Sequence, residues 1–143
     1  MKLLYKFLLL PFYKKTLLIN AVVLLSLSKI LLLVSFKLAK KLTSNYPPKM
    51  TFKKRSNSIN DITWSINTIS NVIPLFQNCL IKSIATQLLL RLNGHNSSLR
   101  IGVDKNKKSI LEAHAWVEAH TWVKDQEQII IGGEISYQYK PLT

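Results

Sequence analysis

The chain carries one cysteine, Cys79, and 35 residues later a histidine, His114, within Glu112-Ala113-His114-Ala115-Trp116-Val117-Glu118. A thiolate attacks a carbonyl carbon, and an imidazole beside it takes up and returns the proton. A Cys followed by a His on a later element is the order that such a nucleophile and base require. Taken alone, a cysteine in an apolar helix is a small buried residue. Its surroundings turn the reading towards catalysis. From Cys79 to Leu92 apolar residues fall at 80, 81, 84, 85, 88, 89 and 92, which predicts a helix. Asn93-Gly94 supplies its stop, with Gly94 suited to a left-handed cap. Cys79 therefore falls in or just before the first turn. There the unpaired amides and the positive end of the helix favour a thiolate and offer donors to the oxyanion of a tetrahedral intermediate. Gln77 or Asn78 would add a side-chain donor.

The elements that must bring the base to the thiol follow from alternation. Ser98–Val103 alternates apolar residues at 99, 101 and 103 and predicts a strand. Asp104–Ser109 is a charged turn, and Ile110–Glu118 is the second strand. On it His114, Trp116 and Glu118 share one face, and Ala113, Ala115 and Val117 the other. The small alanines predict close packing against the helix that carries Cys79. Thr121–Val123 and Gln128–Ile131 are further strand material around a Lys124–Glu127 turn. Tyr137–Leu142 reads as an edge strand or coil in which Pro141 stops pairing. A helix followed by antiparallel strands predicts an α+β fold, with the thiol and the imidazole meeting across the layer boundary. His95 and His120 read as surface or turn residues. His114 and His120 lie too far apart on one short strand to chelate with Glu118, so no metal and no cofactor is expected.

The N-terminal half differs in character. The net charge is +13, and residues 1–55 hold twelve Lys/Arg and no acid, whereas 56–143 hold eight Lys/Arg against seven acids. The lysines stand singly or in pairs among leucines, without the interleaved aromatics of a base-stacking surface, so nucleic acid is not the expected partner. Residues 1–12 and 16–36 are leucine-rich, and Thr16–Phe36 approaches the length of a membrane span. Lys29 interrupts it, basic residues flank both ends, and no small-residue cleavage site follows. Two helices broken at Pro11 and docked on the protein are expected, with membrane contact as the other reading. Tyr46-Pro47-Pro48 ends this region and 49–60 reads as a linker. A short helix over Thr63–Val72 with Asp61 as its N-cap comes next, and Pro74 breaks the chain before the Cys helix. The expected organisation is therefore basic leucine-rich helices over 1–48, a linker, and a catalytic core over 61–143. A single cysteine suits a reducing cytoplasm.

Several segments resemble the lasso-peptide biosynthesis B family in its split form, within the transglutaminase-like cysteine peptidases. They are Cys79-Leu80 through Leu88-Leu89-Leu90-Arg91, Gly94-His95, Leu99-Arg100-Ile101-Gly102-Val103, Ala113-His114-Ala115-Trp116-Val117-Glu118, Ile130-Ile131-Gly132-Gly133 and Tyr139-Lys140-Pro141-Leu142. The leucine-rich start with Leu10-Pro11 is similar too. The resemblance implies a transglutaminase/papain-like core, with the Cys helix packed on a small antiparallel sheet, preceded by leucine-rich helices. It implies removal of a leader from a ribosomally made precursor peptide, with a separate protein presenting the leader and an ATP-dependent macrocyclase closing the ring. Cys79 would be the nucleophile and His114 the base, through a thioester. The chain departs from the pattern at the third member. Many relatives carry an Asp where Ile131-Gly132-Gly133 stands here, which leaves Asp125 as the nearest Asp, Glu127 as the next acid, or no acid at all. Two other classes stay open: a scaffold that keeps the fold without turnover, and a small membrane-associated protein whose leucine-rich half is the functional part.

Overall fold

The computed structural model describes residues 1–38, 41, 57–95, 97–104, 113–121, 126–131 and 139–141. Within the sheet it describes side chains at 97–102 and 115–118. Among the described residues, beside a short helical stretch at 36–38, the helices are α1 (Lys2–Leu9), α2 (Phe12–Val34), α3 (Ile59–Val72), a 3-10 turn (Pro74–Phe76) and α4 (Cys79–Leu92). Then come β1 (Ser97–Asp104), β2 (Ala113–Thr121), β3 (Gln126–Ile131) and β4 (Tyr139–Pro141).

Pro11 parts the first two helices as expected. It is the N-cap of α2, and Leu10 before it is extended, the conformation that a following proline imposes. α3 begins four residues earlier than the sequence suggested, and Asp61 is not its cap. Ser58 is the N-cap: its Oγ accepts from the Asp61 N–H at 3.1 Å and donates to Asp61 Oδ2 at 3.0 Å. The hydroxyl thus caps the third amide of the helix, and the Asp61 carboxylate holds that hydroxyl in place.

One core joins the helices to the sheet. Leu17, Ala21 and Leu25 of α2, Ile62 and Ile66 of α3, and Ile81, Ala85 and Leu89 of α4 form it together with Val117 of β2. Ser28 and Ser65 are also wholly buried, and each hydroxyl donates to a carbonyl of its own helix at 2.7 Å. The leucine-rich half is thus built into the same core as the Cys helix. Ile59 and Asn60, at the end of the stretch expected to be a linker, are already the first turn of α3, with Ser58 as its cap; the part of that stretch before Asn57 lies outside the described residues.

The sheet is antiparallel, in the order β3-β2-β1-β4. The α+β architecture expected from the sequence is the one observed. β2 continues without a break from Ala113 to Thr121, where the sequence reading had separate strand material, and β3 starts two residues earlier than expected, at Gln126. Pro141 lies on the edge strand β4, opposite Gly102, where a missing N–H costs no ladder bond on its outer side.

Candidate active site

Cys79 opens α4. Asn78 is the N-cap, and its Oδ1 accepts from the Leu80 N–H at 2.9 Å. That bond fixes the amide plane of Asn78 and leaves its NH2 end as the donor, which is the group the sequence reading wanted there. Cys79 is half-buried, so it is neither sealed in the core nor fully open to solvent. It shares one stripe of α4 with Ser83, Thr86 and Leu90, all at 0% exposure. Ile81, Ala85, Leu89 and Leu90 share the core with α2, α3 and Val117 of β2. Gln87, one turn beyond Ser83, donates from Nε2 to the Ser97 carbonyl of β1 at 3.4 Å. At Gln87, then, α4 lies against β1.

The far end of α4 sets where the sheet goes. Gly94 has φ 79, the left-handed conformation the sequence assigned to it. The His95 N–H donates to Leu90 O at 2.9 Å and the Gly94 N–H to Arg91 O at 3.0 Å, which together make a Schellman turn. The chain reverses here, and β1 returns along the helix. From the Gln87–Ser97 contact back to Cys79 is eight helical residues, about 12 Å. From Ser97 to Gly102 is five strand residues, about 17 Å. Gly102 is therefore level with the start of α4 or about one strand residue past it. His114 is the residue of β2 paired with Gly102. The topology thus carries His114 to the same end of the molecule as Cys79. The side chain of His114 is outside those described.

Alternation along β2 is visible on both sides. Val117 and its partner Leu99 turn to the helices. Arg100, Trp116 and Glu118 are linked to one another: Trp116 Nε1 donates to Glu118 Oε1 at 2.9 Å, and Arg100 Nε meets Glu118 Oε2 at 3.2 Å. Sequence reading missed this triad, although Arg100, Trp116 and Glu118 each occupy alternate positions that a strand pair brings to one face. A bulge between Val117 and Glu118 on the β3 side of β2 lies beside it.

His95, expected at the surface or in a turn, is in the turn but buried. Its Nε2 donates to the Asn57 carbonyl at 2.7 Å. Asn57 Nδ2 donates to Asn93 Oδ1, and Asn93 Nδ2 to the Leu89 carbonyl, each at 2.8 Å. These bonds tie the start of α3 to the end of α4, a structural role. Its signal was present in Asn93-Gly94-His95, because the residue after a left-handed glycine cap commonly packs back on its helix.

Of the two acids considered for the third role, Glu127 stands on β3 opposite His120. That is six residues along β2 from His114, about 20 Å, beyond the reach of a glutamate side chain. Asp125 lies outside the described residues; its neighbour Gln126 pairs with Thr121, at the end of β2 remote from His114.

A helix that begins with a half-buried cysteine, packed on an antiparallel sheet whose second strand carries a histidine, makes an α+β fold. The family model described as transglutaminase-like superfamily matches residues 21–119, more than half of the chain, and the chain belongs to that superfamily. The matched span includes Cys79 and His114, and it begins inside α2 and ends before Asp125. Comparison with curated proteins and with solved structures gave no match.

Proposed function

We propose that the protein is a cysteine peptidase that removes the leader from a ribosomally synthesised, lasso-type precursor peptide. The observation that supports it most is Cys79 at the start of α4, followed by His114 on the strand paired with β1, inside a transglutaminase-like domain. The Cys79 thiolate attacks the scissile carbonyl carbon, forming the C–S bond, while the oxyanion takes hydrogen bonds from first-turn amides and the Asn78 NH2. The His114 imidazolium gives its proton to the leaving amine as the C–N bond breaks, and a thioester remains. His114 then takes a proton from water, the hydroxide adds to the thioester, and the leader carboxylate and free thiol are released. The pairing of β3 speaks against an acid reaching His114 from Asp125 or Glu127, so the reading is of a Cys–His dyad. The chain would act on a precursor presented by a separate leader-recognition protein, ahead of an ATP-dependent macrocyclase.

The test is cleavage of precursor, in the presence of the presenting protein, by the wild-type chain and by Cys79→Ala, followed by mass spectrometry. Wild type should release the leader as one intact fragment, and Cys79→Ala should release none. Equal cleavage by the two would defeat the assignment.

A further inference from the structure

We propose that the N-terminal helices seat the protein in the plane of an anionic lipid surface. α2 is apolar on two opposite faces. Its inner face, with Leu17, Leu18, Ala21, Leu24 and Leu25 buried, docks on the core. On its outer face Ile19, Val23, Leu27, Ile30 and Val34 are exposed. At 100° per residue these fall within an arc of roughly 80°, diametrically opposite the buried set. Lys15 and Lys29 both lie beyond one edge of that arc, placed so that their stems can lie along apolar surface while the ammonium groups stay wet.

α1 continues the same pattern. None of its residues is buried, Leu3, Leu4 and Leu8 are exposed, and Lys2 and Lys6 stand one turn apart on the side away from Leu4 and Leu8. Phe12 and Tyr13 are exposed at its junction with α2. Contiguous apolar surface of this kind marks an interaction site.

Charge selects the occupant. Residues 1–55 carry twelve Lys/Arg and not one acid, so the surface attracts polyanions and repels cationic partners. An apolar face rimmed by lysines and aromatic residues is the composition of an in-plane interfacial helix, which buries its apolar face to headgroup depth. α2 is long and apolar enough to cross a membrane, but crossing would strip Leu17, Ala21 and Leu25 from the core they share with α3 and α4. The in-plane seat uses the outer face and leaves that core intact.

The experiment uses the full chain in flotation with two kinds of vesicle: phosphatidylcholine alone, and equal parts of phosphatidylcholine and phosphatidylglycerol. The expected result is co-flotation with the anionic vesicles, reversed by high salt and by carbonate. Val23→Gln with Ile30→Gln should weaken binding at least tenfold, because it removes buried apolar area. Lys2→Gln with Lys6→Gln should weaken it about thirtyfold, at roughly fivefold per lysine. All four positions lie outside the core, and circular dichroism verifies that the variants fold. No binding to anionic vesicles, or binding that Val23→Gln with Ile30→Gln leaves unchanged, overturns the proposal. Carbonate-resistant binding overturns it in favour of a span. Dimerisation in solution that the same face variants abolish, without vesicle binding, overturns it in favour of a second copy of the chain. Cys79→Ala should float like wild type, so failure of the lipid seat and failure of the peptidase reading are separate results.

Discussion

Replacing Gly94 tests the turn on which the relative placement of Cys79 and His114 depends. At φ 79 the residue sits where a side chain's Cβ crowds its own carbonyl. Alanine there costs about 1–2 kcal/mol in the folded state, offset in part by about 0.4–1 kcal/mol from its stiffer unfolded chain. The net loss, on the order of 1 kcal/mol, lowers the melting temperature of a chain of this size by about 3–5 °C. Asparagine tolerates the left-handed region, so Gly94→Asn should recover most of that loss. Thermal melts of wild type, Gly94→Ala and Gly94→Asn, followed by far-ultraviolet dichroism, give the comparison. Cleavage measured below the transition gives a second one. If this turn sets how β1 returns along α4, Gly94→Ala should lower kcat/KM by more than the small unfolded fraction accounts for, and Gly94→Asn should restore it. An alanine variant that melts at or above wild type would refute the left-handed turn, and with it the argument that this reversal brings Gly102 and His114 level with the start of α4.

Further outcomes are expected from the same structure. Leu25→Ala, which removes a wholly buried side chain shared by the leucine-rich half and the Cys helix, should destabilise the entire chain by about 3 kcal/mol in one cooperative denaturant transition; two separate transitions would show that the halves fold apart. Ser58→Ala should cost about 1 kcal/mol in the same assay through loss of the α3 cap, and Asp61→Ala less, since it leaves the hydroxyl-to-amide bond in place. Iodoacetamide should alkylate Cys79 at neutral pH faster than a free thiol, as a first-turn thiolate would; the rate of an ordinary thiol would favour the scaffold reading. Asp125→Asn and Glu127→Gln should each leave leader cleavage within about threefold of wild type, and a hundredfold loss in either would contradict the dyad and the β3 register that supports it.

Where local chemistry decides a feature, the sequence was legible. The helix Cys79–Leu92 has the limits its apolar stripe assigned, because Asn78 caps one end and Asn93-Gly94 the other. Pro11 broke the leucine-rich half where its fixed φ demands. The alternation of Ala113, Ala115 and Val117 marked the side of β2 whose Val117 is now in the core. Features decided by long-range pairing were less legible. Strand ends moved by two or three residues, since alternation reads the same on either side of a boundary and only the partner strand fixes it. The burial of His95 depends on Asn57, 38 positions away, and neither residue announces the other. The cap of α3 was a different case. Ser58 and Asp61 stand in capping-box spacing, and only the polar, basic look of the preceding stretch diverted the reading towards a linker.

The remaining question about the dyad is which side of β2 meets the start of α4. Midway along the helix the answer is the side of Val117, since Val117 packs in the core with Ala85 and Leu89. His114 alternates with Val117, so an approach to Cys79 requires it to lie at or beyond the level where α4 begins, where no further turn of the helix covers the strand. Cys79 is the chain's one cysteine, which makes disulfide trapping selective. A disulfide forms only where the two Cα atoms come within about 7 Å with their Cβ vectors converging. If the imidazole of His114 reaches the thiol over the end of the helix, His114→Cys should link to Cys79 under mild oxidation, and Ala115→Cys should not. The bridged species is read by the loss of two mass units and of both free thiols. Linkage through position 115 alone would put the Val117 side of β2 against the start of α4 and turn His114 away from the sulfur. The hydrolysis would then lack its base, even though both residues stand at the same end of the fold.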